Sequence, residues 1–383
     1  MPKKVLHVIS GLGTGGAERA LYNILWGSIG NKFENEVVSL SGGGDLADAI
    51  SRLDIPVHVL NMSLGGALPR ALINLKRLTS EFKPDLIQGW MYHGNLAATV
   101  VSMAVPFKPK TVWNVRHSLY SLTDEKRLTQ YVIRANRLFS RKANAIIYNS
   151  YLSRKQHEEF GLESSNGLVI PNGFDMDSLG PDPYAARLVK REFSIPDEAL
   201  VVGHVARFHP MKDHASFLKA AVQVAEKFPS AYFLLVGRDV SLQHPHLTGI
   251  VPDNLQHRFC IAGERQDVTR LMQTMDVFCL SSWSEAFPNV IGEAMATGVP
   301  CVATDVGDSA VIVGNTGKVV PPSDNRKLSE GLLSMLRMSS DERHELGRIA
   351  RERIEREYSL RSAVSRYQEI YDSICRSGFD YGN

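Results

Sequence analysis

The chain is short of cysteine, of long apolar runs and of net charge, and each shortage excludes a class of protein. Its four cysteines, Cys260, Cys279, Cys301 and Cys375, show no close pair and no zinc-type spacing, which predicts reduced core residues of a cytosolic protein. No segment offers the uncharged apolar stretch of about 20 residues that a membrane span requires. A formal net charge of +2 is too near balance for a nucleic-acid binder, which would carry a strongly basic domain.

The amino-terminal segment also lacks a feature, the apolar core of a signal peptide. It starts with basic residues, MPKK, but His7 and then glycines interrupt its apolar run, which is too short for such a core. We therefore expect the protein to act in the cytoplasm.

The bulk composition is that of an ordinary globular enzyme. Of the 383 residues, 44% are hydrophobic and 22% are charged, which excludes a disordered or fibrous chain. A chain of this length exceeds what one hydrophobic core usually organises, so two α/β domains are expected.

Strand-like runs alternate with helical periodicity along the first half. Helical patterns cover Ala17–Trp26 and Arg70–Phe82. Strand followed by helix followed by strand predicts a parallel sheet with right-handed crossovers. The runs that predict strands are Val5–Ser10, Glu36–Leu40, Val57–Leu60, Asp85–Gly89, Thr111–Arg116 and Ala145–Asn149.

The pattern breaks at VIPNGFD (Val169–Asp175), where proline and Asn-Gly punctuate the chain before the proline-rich Gly180–Tyr184. This break is the predicted domain boundary. A second α/β series follows, with a helix over Asp213–Phe228. Its predicted strands are Leu200–Ala206, Ala231–Val236, Arg258–Ala262, Val277–Leu280 and Cys301–Thr304.

A charged helical stretch covers residues 341–376 near the end of the chain. Leu346, Ala350, Ile354 and Tyr358 are spaced to form one apolar stripe. The predicted division is therefore an amino-terminal domain over 1–172, a second domain over 173–360, and a helical segment over 361–383 that packs back on the first domain.

A glycine-rich loop, GLGTGGAE (Gly11–Glu18), lies between the first predicted strand and helix. Glycines let backbone amides approach an anion at a helix amino terminus. Gly11, Gly13 and Gly16 have the spacing of a dinucleotide fingerprint, but no acidic residue ends the second strand, which disfavours an NAD-dependent dehydrogenase. A tight turn that serves packing alone remains an alternative.

The second domain carries a denser signal at SSWSEAFPNVIGEAMATGVP (Ser281–Pro300). Pro288 and Asn289 suit a helix start, so Glu285 is predicted in the loop after a strand and Glu293 in the second helical turn. Both carboxylates are then placed at the strand ends where open α/β sheets bind ligands, and backbone amides at Asn289 and Val290 can meet a phosphate. Either glutamate alone can also be a solvated carboxylate near a helix end.

These motifs occur in order with GGAE (Gly15–Glu18), PNGFD (Pro171–Asp175), VARFHPMKD (Val205–Asp213), LLVGRD (Leu234–Asp239) and SEAFPNVIGEAMATGVPCVATDVG (Ser284–Gly307). Over nearly its whole length the chain resembles the retaining glycosyltransferases of family 4. The resemblance implies the GT-B fold, with two Rossmann-like domains facing across a cleft and a carboxyl-terminal helix crossing back. It implies an amino-terminal domain that binds the acceptor and a second domain that binds a nucleotide sugar.

The resemblance also implies roles for matching residues. Glu293 is similar to the glutamate that holds the ribose hydroxyls, and Glu285 to the one near the donor sugar. Arg207 and Lys212 resemble the basic pair on the diphosphate, where fixed cations stabilise the leaving group without metal. His117 resembles the active-site histidine. The implied catalytic residues are His117, Glu285, Arg207 and Lys212, and the implied donor-binding residues are Gly15, Gly16, Arg207, Lys212, Glu285, Phe287, Asn289, Val290 and Glu293.

Two short patterns suggest a metal site, and both are discounted. Asp175 and Asp177 have the spacing of an acidic metal pair, but they follow the Asn-Gly turn and are expected to cap the next turn. His244 and His246 lack a third ligand. No metal and no cofactor is expected.

Two segments carry open alternatives. The basic amphipathic stretch 126–142 (KRLTQYVIRANRLFSRK) is either a docking surface for anionic lipid at the inner face of the cytoplasmic membrane or a core-facing helix with a solvated basic side. The aromatic segment Gly89–Gly94 (GWMYHG) either lines an acceptor pocket or packs in the core.

The expected function is retaining transfer of a sugar from a nucleotide diphosphate to a glycan or lipid-linked acceptor, in bacterial surface polysaccharide or glycolipid synthesis. The segment Ala262–Asp267 (AGERQD) is expected to contact the base through its backbone. A two-lobed nucleotide-sugar-binding protein without catalysis and a nucleotide-sugar epimerase of the same fold remain alternatives.

Overall fold

The computed structural model describes residues 2–13, 15–27, 29, 32–62 and 68–376. Thr14 of the glycine-rich loop and residues 377–383 of the predicted carboxyl-terminal segment lie outside the described residues. The chain divides into two compact units. Unit 1 comprises residues 1–173 together with the chain from Leu360 onward, and unit 2 comprises Phe174–Ser359.

Unit 1 contains a sheet of parallel strands with helical crossovers, as predicted. In the described part of the chain its strands are β1 (Lys3–Ile9), β2 (Phe33–Ser39), β3 (Val57–Val59), β4 (Leu86–Trp90), β5 (Lys110–Val115), β6 (Ala145–Tyr148) and β7 (Gly167–Val169). Its helices there are α1 (Gly16–Trp26), α2 (Asp45–Ser51), α3 (Leu68–Phe82), α4 (Met91–Ala104), α5 (Arg127–Phe139), α6 (Tyr151–Phe160) and, after unit 2, α14 (Leu360–Arg376).

Unit 2 repeats the architecture. Its strands are β8 (Leu200–Val205), β9 (Ala231–Val236), β10 (Phe259–Gly263), β11 (Val277–Leu280), β12 (Cys301–Thr304) and β13 (Gly317–Val320). Its helices are α7 (Pro183–Glu192), α8 (His214–Lys227), α9 (Val268–Met272), α10 (Asn289–Ala296), α11 (Ser309–Val313), α12 (Asn325–Leu336) and α13 (Ser340–Tyr358).

The order of the strands places a crevice in each unit. The order is β3-β2-β1-β4-β5-β6-β7 in unit 1 and β10-β9-β8-β11-β12-β13 in unit 2, with every neighbouring pair parallel. The direction of winding reverses between β1 and β4 and again between β8 and β11. At such a reversal the loops after the two strands leave in opposite directions, which opens a binding crevice at the carboxyl ends of the strands.

Two short edge strands, β7 and β13, went unpredicted. β7 has three residues and β13 has four, and each begins at a glycine. β7 (GLV) and β13 (GKVV) each contribute only two apolar residues, so neither has the continuous apolar run that indicates a buried strand. Pairing with the neighbouring strands β6 and β12 makes each segment a strand.

The charged stretch near the end of the chain is two helices rather than one. Ser359, at φ −64° and ψ 151°, is extended and ends α13. Next to this break, the amide of Phe174 donates to the Tyr358 carbonyl at 2.8 Å. The predicted apolar stripe is confirmed for Ala350, Ile354 and Tyr358, which are buried in the core of unit 2.

Helix α14 adds aromatic side chains to the core of unit 1. The Tyr367 ring stacks on Trp90 with centroids 6.4 Å apart, and Tyr371 meets Phe33 edge-on at 5.4 Å. The Tyr367 hydroxyl also accepts a 2.5 Å hydrogen bond from Asn114 Nδ2. These contacts explain why the chain from Leu360 onward belongs to unit 1.

The cysteines are unpaired thiols. Cys279 and Cys301 are fully buried, and Cys260 and Cys375 are partly buried. Burial raises the pKa of Cys260 to about 11, which disfavours the reactive thiolate. No helix within the described ranges is both long and apolar enough to cross a bilayer.

Candidate functional site

The loop after β8 holds Arg207 and Lys212. It runs beside the loop after β9, since the Phe208 amide donates to the Arg238 carbonyl at 2.8 Å. It then forms a single 3-10 turn over Pro210–Lys212 and reaches Asp213, whose left-handed backbone (φ 47°) ends the turn. The Asp213 carboxylate caps α8 by accepting from the Ser216 amide at 3.1 Å. This cap fixes the position of the preceding Lys212.

The structure brings Lys212 and Glu285 together. Lys212 Nζ lies 2.5 Å from Glu285 Oε1, and both side chains are mostly buried. The Ser282 hydroxyl donates to the same carboxylate oxygen at 2.7 Å. The two residues lie 73 positions apart in sequence, and they meet because β8 and β11 are neighbours in the sheet.

The loop after β11 is fixed by hydrogen bonds to the loop after β8 and to the end of β12. The Ser281 hydroxyl donates to the Lys212 carbonyl at 2.8 Å, and Thr304 Oγ1 donates to the Ser282 carbonyl at 2.6 Å. Gly307 supports the same loop at φ +57°, because a Cβ there would lie 2.4 Å from the Ala286 carbonyl oxygen. Sequence reasoning gave Gly307 and Thr304 no role.

Arg207, in the loop after β8, is exposed and forms no ion pair with any of the described residues.

Two buried histidines, His204 on β8 and His214 at the start of α8, lie beneath the loop after β8. Burial, together with the neighbouring His214 and Lys212, lowers the pKa of His204 to about 3. Burial and Lys212 lower the pKa of His214 to about 4, and its Nε2 lies 3.3 Å from the Ala206 carbonyl. Both rings are therefore neutral near pH 7, and they add no positive charge below Arg207 and Lys212.

Helix α10 begins at Asn289, and Glu293 is in its second turn, as predicted. The amino terminus of α10, at Asn289 and Val290, follows the loop after β11 and is a candidate anion site because the helix dipole is positive there. Phe287 lies in the loop just before this helix. Its side chain is buried in the core and stacks on Phe174 at 6.3 Å, so only its backbone is left for a ligand.

The glycine-rich loop of unit 1 opens α1 at Gly16, with Gly15 as the preceding cap and both residues exposed. No side chain among the described residues caps this helix. A second group of glycines, Gly42–Gly44, packs beside the loop. Gly44 is at φ +130°, and a Cβ there would lie 2.6 Å from the Leu12 carbonyl oxygen. No sequence pattern indicated this support.

His117 follows β5 in unit 1 and has a carboxylate partner that sequence reasoning missed. His117 Nε2 lies 2.8 Å from Glu125 Oε1, and half of the histidine side chain is exposed. The His117 carbonyl accepts from Ser153 Oγ at 2.7 Å. The contact with the Glu125 carboxylate selects one orientation of the His117 ring.

Arg116, next to His117, is held in the interior of unit 1. Its guanidinium donates to Asn114 Oδ1 and to the Tyr367 hydroxyl, both at 3.2 Å, and to Asn172 Oδ1. Burial lowers the pKa of this arginine. Arg116 thereby links helix α14 with the end of strand β5, which leads directly to His117.

The aromatic segment Gly89–Gly94 is not a loop. Strand β4 turns directly into α4 at Met91, which has φ +62°. The side chains of Trp90 and Tyr92 are buried. The packing alternative is therefore confirmed for both aromatic residues.

The two discounted metal patterns have other partners. The Asp175 carboxylate accepts from the Asp177 amide at 3.1 Å and so caps a turn, as expected. The His244 and His246 rings lie against Phe208, with centroids 3.7 and 6.3 Å away. Within the described ranges no three histidine, cysteine or acidic side chains cluster as metal ligands would.

Arg265 in the segment Ala262–Asp267 is held by acidic neighbours. It binds Asp267 at 2.7 Å and Glu192 at 2.6 Å, and Arg270 binds the same two carboxylates. The guanidinium of Arg265 is engaged in this network, which leaves the backbone of the segment as the more available surface.

Two family models match the chain. The model described as Glycosyltransferase Family 4 matches residues 14–178, and the model described as Glycosyl transferases group 1 matches residues 199–338. The chain is 27% identical over 320 residues to the putative glycosyltransferase EpsF of Bacillus subtilis, covering 79% of each protein. It is 24% identical over 277 residues to the UDP-Gal:alpha-D-GlcNAc-diphosphoundecaprenol alpha-1,3-galactosyltransferase of Escherichia coli, covering 70% of each.

Among solved structures, the chain resembles Anabaena Alr3699/HepE in complex with UDP, with a TM-score of 0.83 and 23% identity over 97% of this chain and 100% of that one. The complex of the same protein with UDP-glucose has a TM-score of 0.80 at 22% identity, over 97% and 99% of the two chains. The likeness to both structures confirms the GT-B fold.

Proposed function

Because the chain belongs to glycosyltransferase family 4 and is a glycosyltransferase of the GT-B fold, we propose that it transfers a hexose, with retention, from a UDP-sugar to a lipid-linked or glycan acceptor. The observation that carries this proposal is the pairing of Lys212 with Glu285 beside the exposed Arg207. A carboxylate and two cations at the carboxyl ends of adjacent parallel strands suit a sugar diphosphate.

In the proposed donor complex, Arg207 and Lys212 bind the diphosphate, and the amino terminus of α10 adds backbone amides through Asn289 and Val290. Lys212 leaves Glu285 for the phosphate, which frees the carboxylate for a sugar hydroxyl. Glu293 holds the ribose hydroxyls. In unit 1, Gly15 and Gly16 at the start of α1 offer backbone amides to an anionic substrate group.

The reaction then breaks the bond between the anomeric carbon and the phosphate oxygen. The acceptor hydroxyl attacks from the same face, and its proton passes to the departing diphosphate oxygen. Negative charge develops on the diphosphate as the bond breaks, so preorganised cations lower the barrier without needing a metal. His117 hydrogen-bonds to a substrate hydroxyl, with its ring oriented by Glu125.

Similar proteins support the choice of substrates. Alr3699/HepE was crystallised with UDP-glucose, and the Escherichia coli relative is named for a UDP-galactose donor and a diphosphoundecaprenol acceptor. We infer that the acceptor here is likewise a lipid diphosphate of bacterial surface polysaccharide synthesis. The network that holds Arg265 is consistent with recognition of the base through backbone groups.

A screen of UDP-, GDP- and ADP-sugars by thermal shift tests the donor. A ligand at about 100 times its Kd stabilises the folded protein by about 2.7 kcal/mol, and we expect the largest shift with a UDP-sugar. Incubation of the selected donor with a lipid diphosphate acceptor in EDTA, followed by NMR, then identifies the chemistry. Free UDP and an α-linked product support retaining transfer without metal. An isomeric sugar nucleotide instead supports an epimerase, and binding without turnover supports a binding protein.

The face of α5 favours contact with the membrane. On α5, Arg127, Tyr131, Arg134 and Leu138 recur every three or four residues and share one side, and the exposed Leu128 lies at its edge, three positions before Tyr131. Tyr131 is 68% exposed and Leu138 is 77% exposed, beside exposed arginines. A helix that only packed on a core would turn its leucines inward. We therefore propose that this surface docks on anionic lipid at the inner face of the cytoplasmic membrane.

Replacing Leu128, Tyr131 and Leu138 together by glutamine should weaken binding to vesicles of phosphatidylglycerol by roughly tenfold or more, because three apolar side chains no longer enter the interface. Sedimentation with vesicles measures the effect. Ile73→Gln is the matched control, since Ile73 is 67% exposed on α3. Equal loss from the control, or no vesicle binding by the unaltered protein, contradicts the proposal.

A further inference from the structure

Trp283 is an exposed aromatic residue in the middle of the donor-site loop of unit 2. Its side chain is 48% exposed, although the residues on either side, Ser282 and Ser284, are buried. It lies two positions before Glu285 in the segment that links β11 to α10. Large exposed aromatic side chains leave apolar surface in water, and next to a binding site they commonly contact the ligand.

Two hydrogen bonds hold Trp283 in place. Its backbone amide donates to the Met211 carbonyl at 3.0 Å, and its indole Nε1 donates to the Pro210 carbonyl at 2.9 Å. Both acceptors belong to the turn that ends at Lys212. The indole therefore lies along the cation-bearing loop and not free in solvent.

The loop after β11, which carries Trp283, is fixed as well. Ser281 bonds to the Lys212 carbonyl, and Thr304 bonds to the Ser282 carbonyl. A ring already held in one orientation loses little conformational freedom when a ligand covers it. Because the indole N–H is already used, the ring offers a ligand its apolar π face.

A sugar ring is the ligand that matches this surface. The C–H bonds on one side of a pyranose form an apolar, slightly positive face, which complements the negative face of an aromatic ring. The pyranose hydroxyls point outward to polar groups such as the Glu285 carboxylate. A nucleobase could also stack, but the indole is bonded to the turn that carries Lys212 and belongs to the same loop as Glu285, the residues assigned to the diphosphate and the sugar.

We propose that Trp283 stacks on the pyranose ring of the donor sugar and so helps to select the sugar that is transferred. This inference rests on the proposed function, in which unit 2 holds the nucleotide sugar beside Glu285 and Lys212. The contact is made by the sugar, and UDP alone lacks it.

Calorimetric titration with UDP and with UDP-glucose tests the contact. Trp283→Ala should weaken binding of UDP-glucose by about tenfold, the size expected for one aromatic stacking contact, and leave the Kd for UDP within about twofold. Trp283→Phe keeps a ring but loses the bond to Pro210, and it should retain most of the affinity for UDP-glucose. Trp26→Ala is the matched control, since Trp26 is also 48% exposed but lies at the end of α1 in unit 1.

Three results would overturn the inference. Equal losses for UDP and UDP-glucose mean that Trp283 only supports the loop. A change confined to the KM of the acceptor assigns the ring to the other substrate, and unchanged constants make it an ordinary surface residue. Failure of the unaltered protein to bind or use any nucleotide sugar instead refutes the proposed function itself, and the inference with it.

Discussion

Lys212→Ala should lower kcat by about two to three orders of magnitude, the loss typical of removing one preorganised charge from a transition state. The cation is held 2.5 Å from Glu285 and, in the proposed mechanism, moves to the diphosphate as negative charge develops there. Stability should fall much less, by about 1 kcal/mol for a partly exposed ion pair. The Glu285 carboxylate keeps its hydrogen bond from Ser282 in this variant.

Steady-state rates of UDP release, with circular dichroism melting curves on the same samples, measure both effects. Lys219→Ala is the control, because Lys219 is an exposed lysine on the adjoining helix α8. Adding Arg207→Ala to Lys212→Ala should reduce turnover further. An enzyme that remains active after losing both cations refutes their assignment to the diphosphate.

Gly237→Ala should both destabilise unit 2 and weaken donor binding. A Cβ at this position would lie 1.9 Å from the Ala206 carbonyl oxygen and 2.9 Å from the Arg207 amide nitrogen. Both contacts are backbone atoms, so no side-chain rotation relieves them, and the loop that carries Arg207 must shift. We expect a loss of about 2 to 4 kcal/mol in the free energy of unfolding and a higher Kd for UDP.

Denaturant titration and calorimetry measure the two quantities. Gly249→Ala separates the steric effect from backbone strain, since Gly249 is at φ +78° and a Cβ there would have no neighbouring atom within 4 Å. Its cost should be only about 1 kcal/mol, with unchanged UDP binding. Equal stability of the two variants would show that the β8 loop tolerates displacement.

The alternation of strands and helices was predictable because it is local. A buried parallel strand needs a continuous apolar run, and an amphipathic helix needs a period of 3.6 residues. Both patterns are visible at Val277–Leu280 and Ala17–Trp26. The edge strand β13 gave no such pattern, because glycine and lysine occupy half of its four positions, and it becomes a strand by pairing with β12.

The positions of Glu285 and Glu293 relative to α10 were also predictable, because Pro288 and Asn289 mark the helix start in the sequence itself. The contacts of these residues were not. The pairing of Lys212 with Glu285 depends on β8 and β11 being neighbours, and that order depends on how the crossovers wind.

The sequence by itself therefore determined the main strands and helices, the repeated α/β architecture and the family, since each is encoded in short segments and in the order of motifs. Only the tertiary structure decided which residues contact one another across the chain. It buried Phe287, bonded His117 to Glu125, placed Tyr367 of α14 against Arg116 and pressed Gly237 against Ala206. The physical reason is that dihedral preferences and hydrophobic periods act between near neighbours, whereas each of these contacts joins separate parts of the chain through the packing of a whole unit.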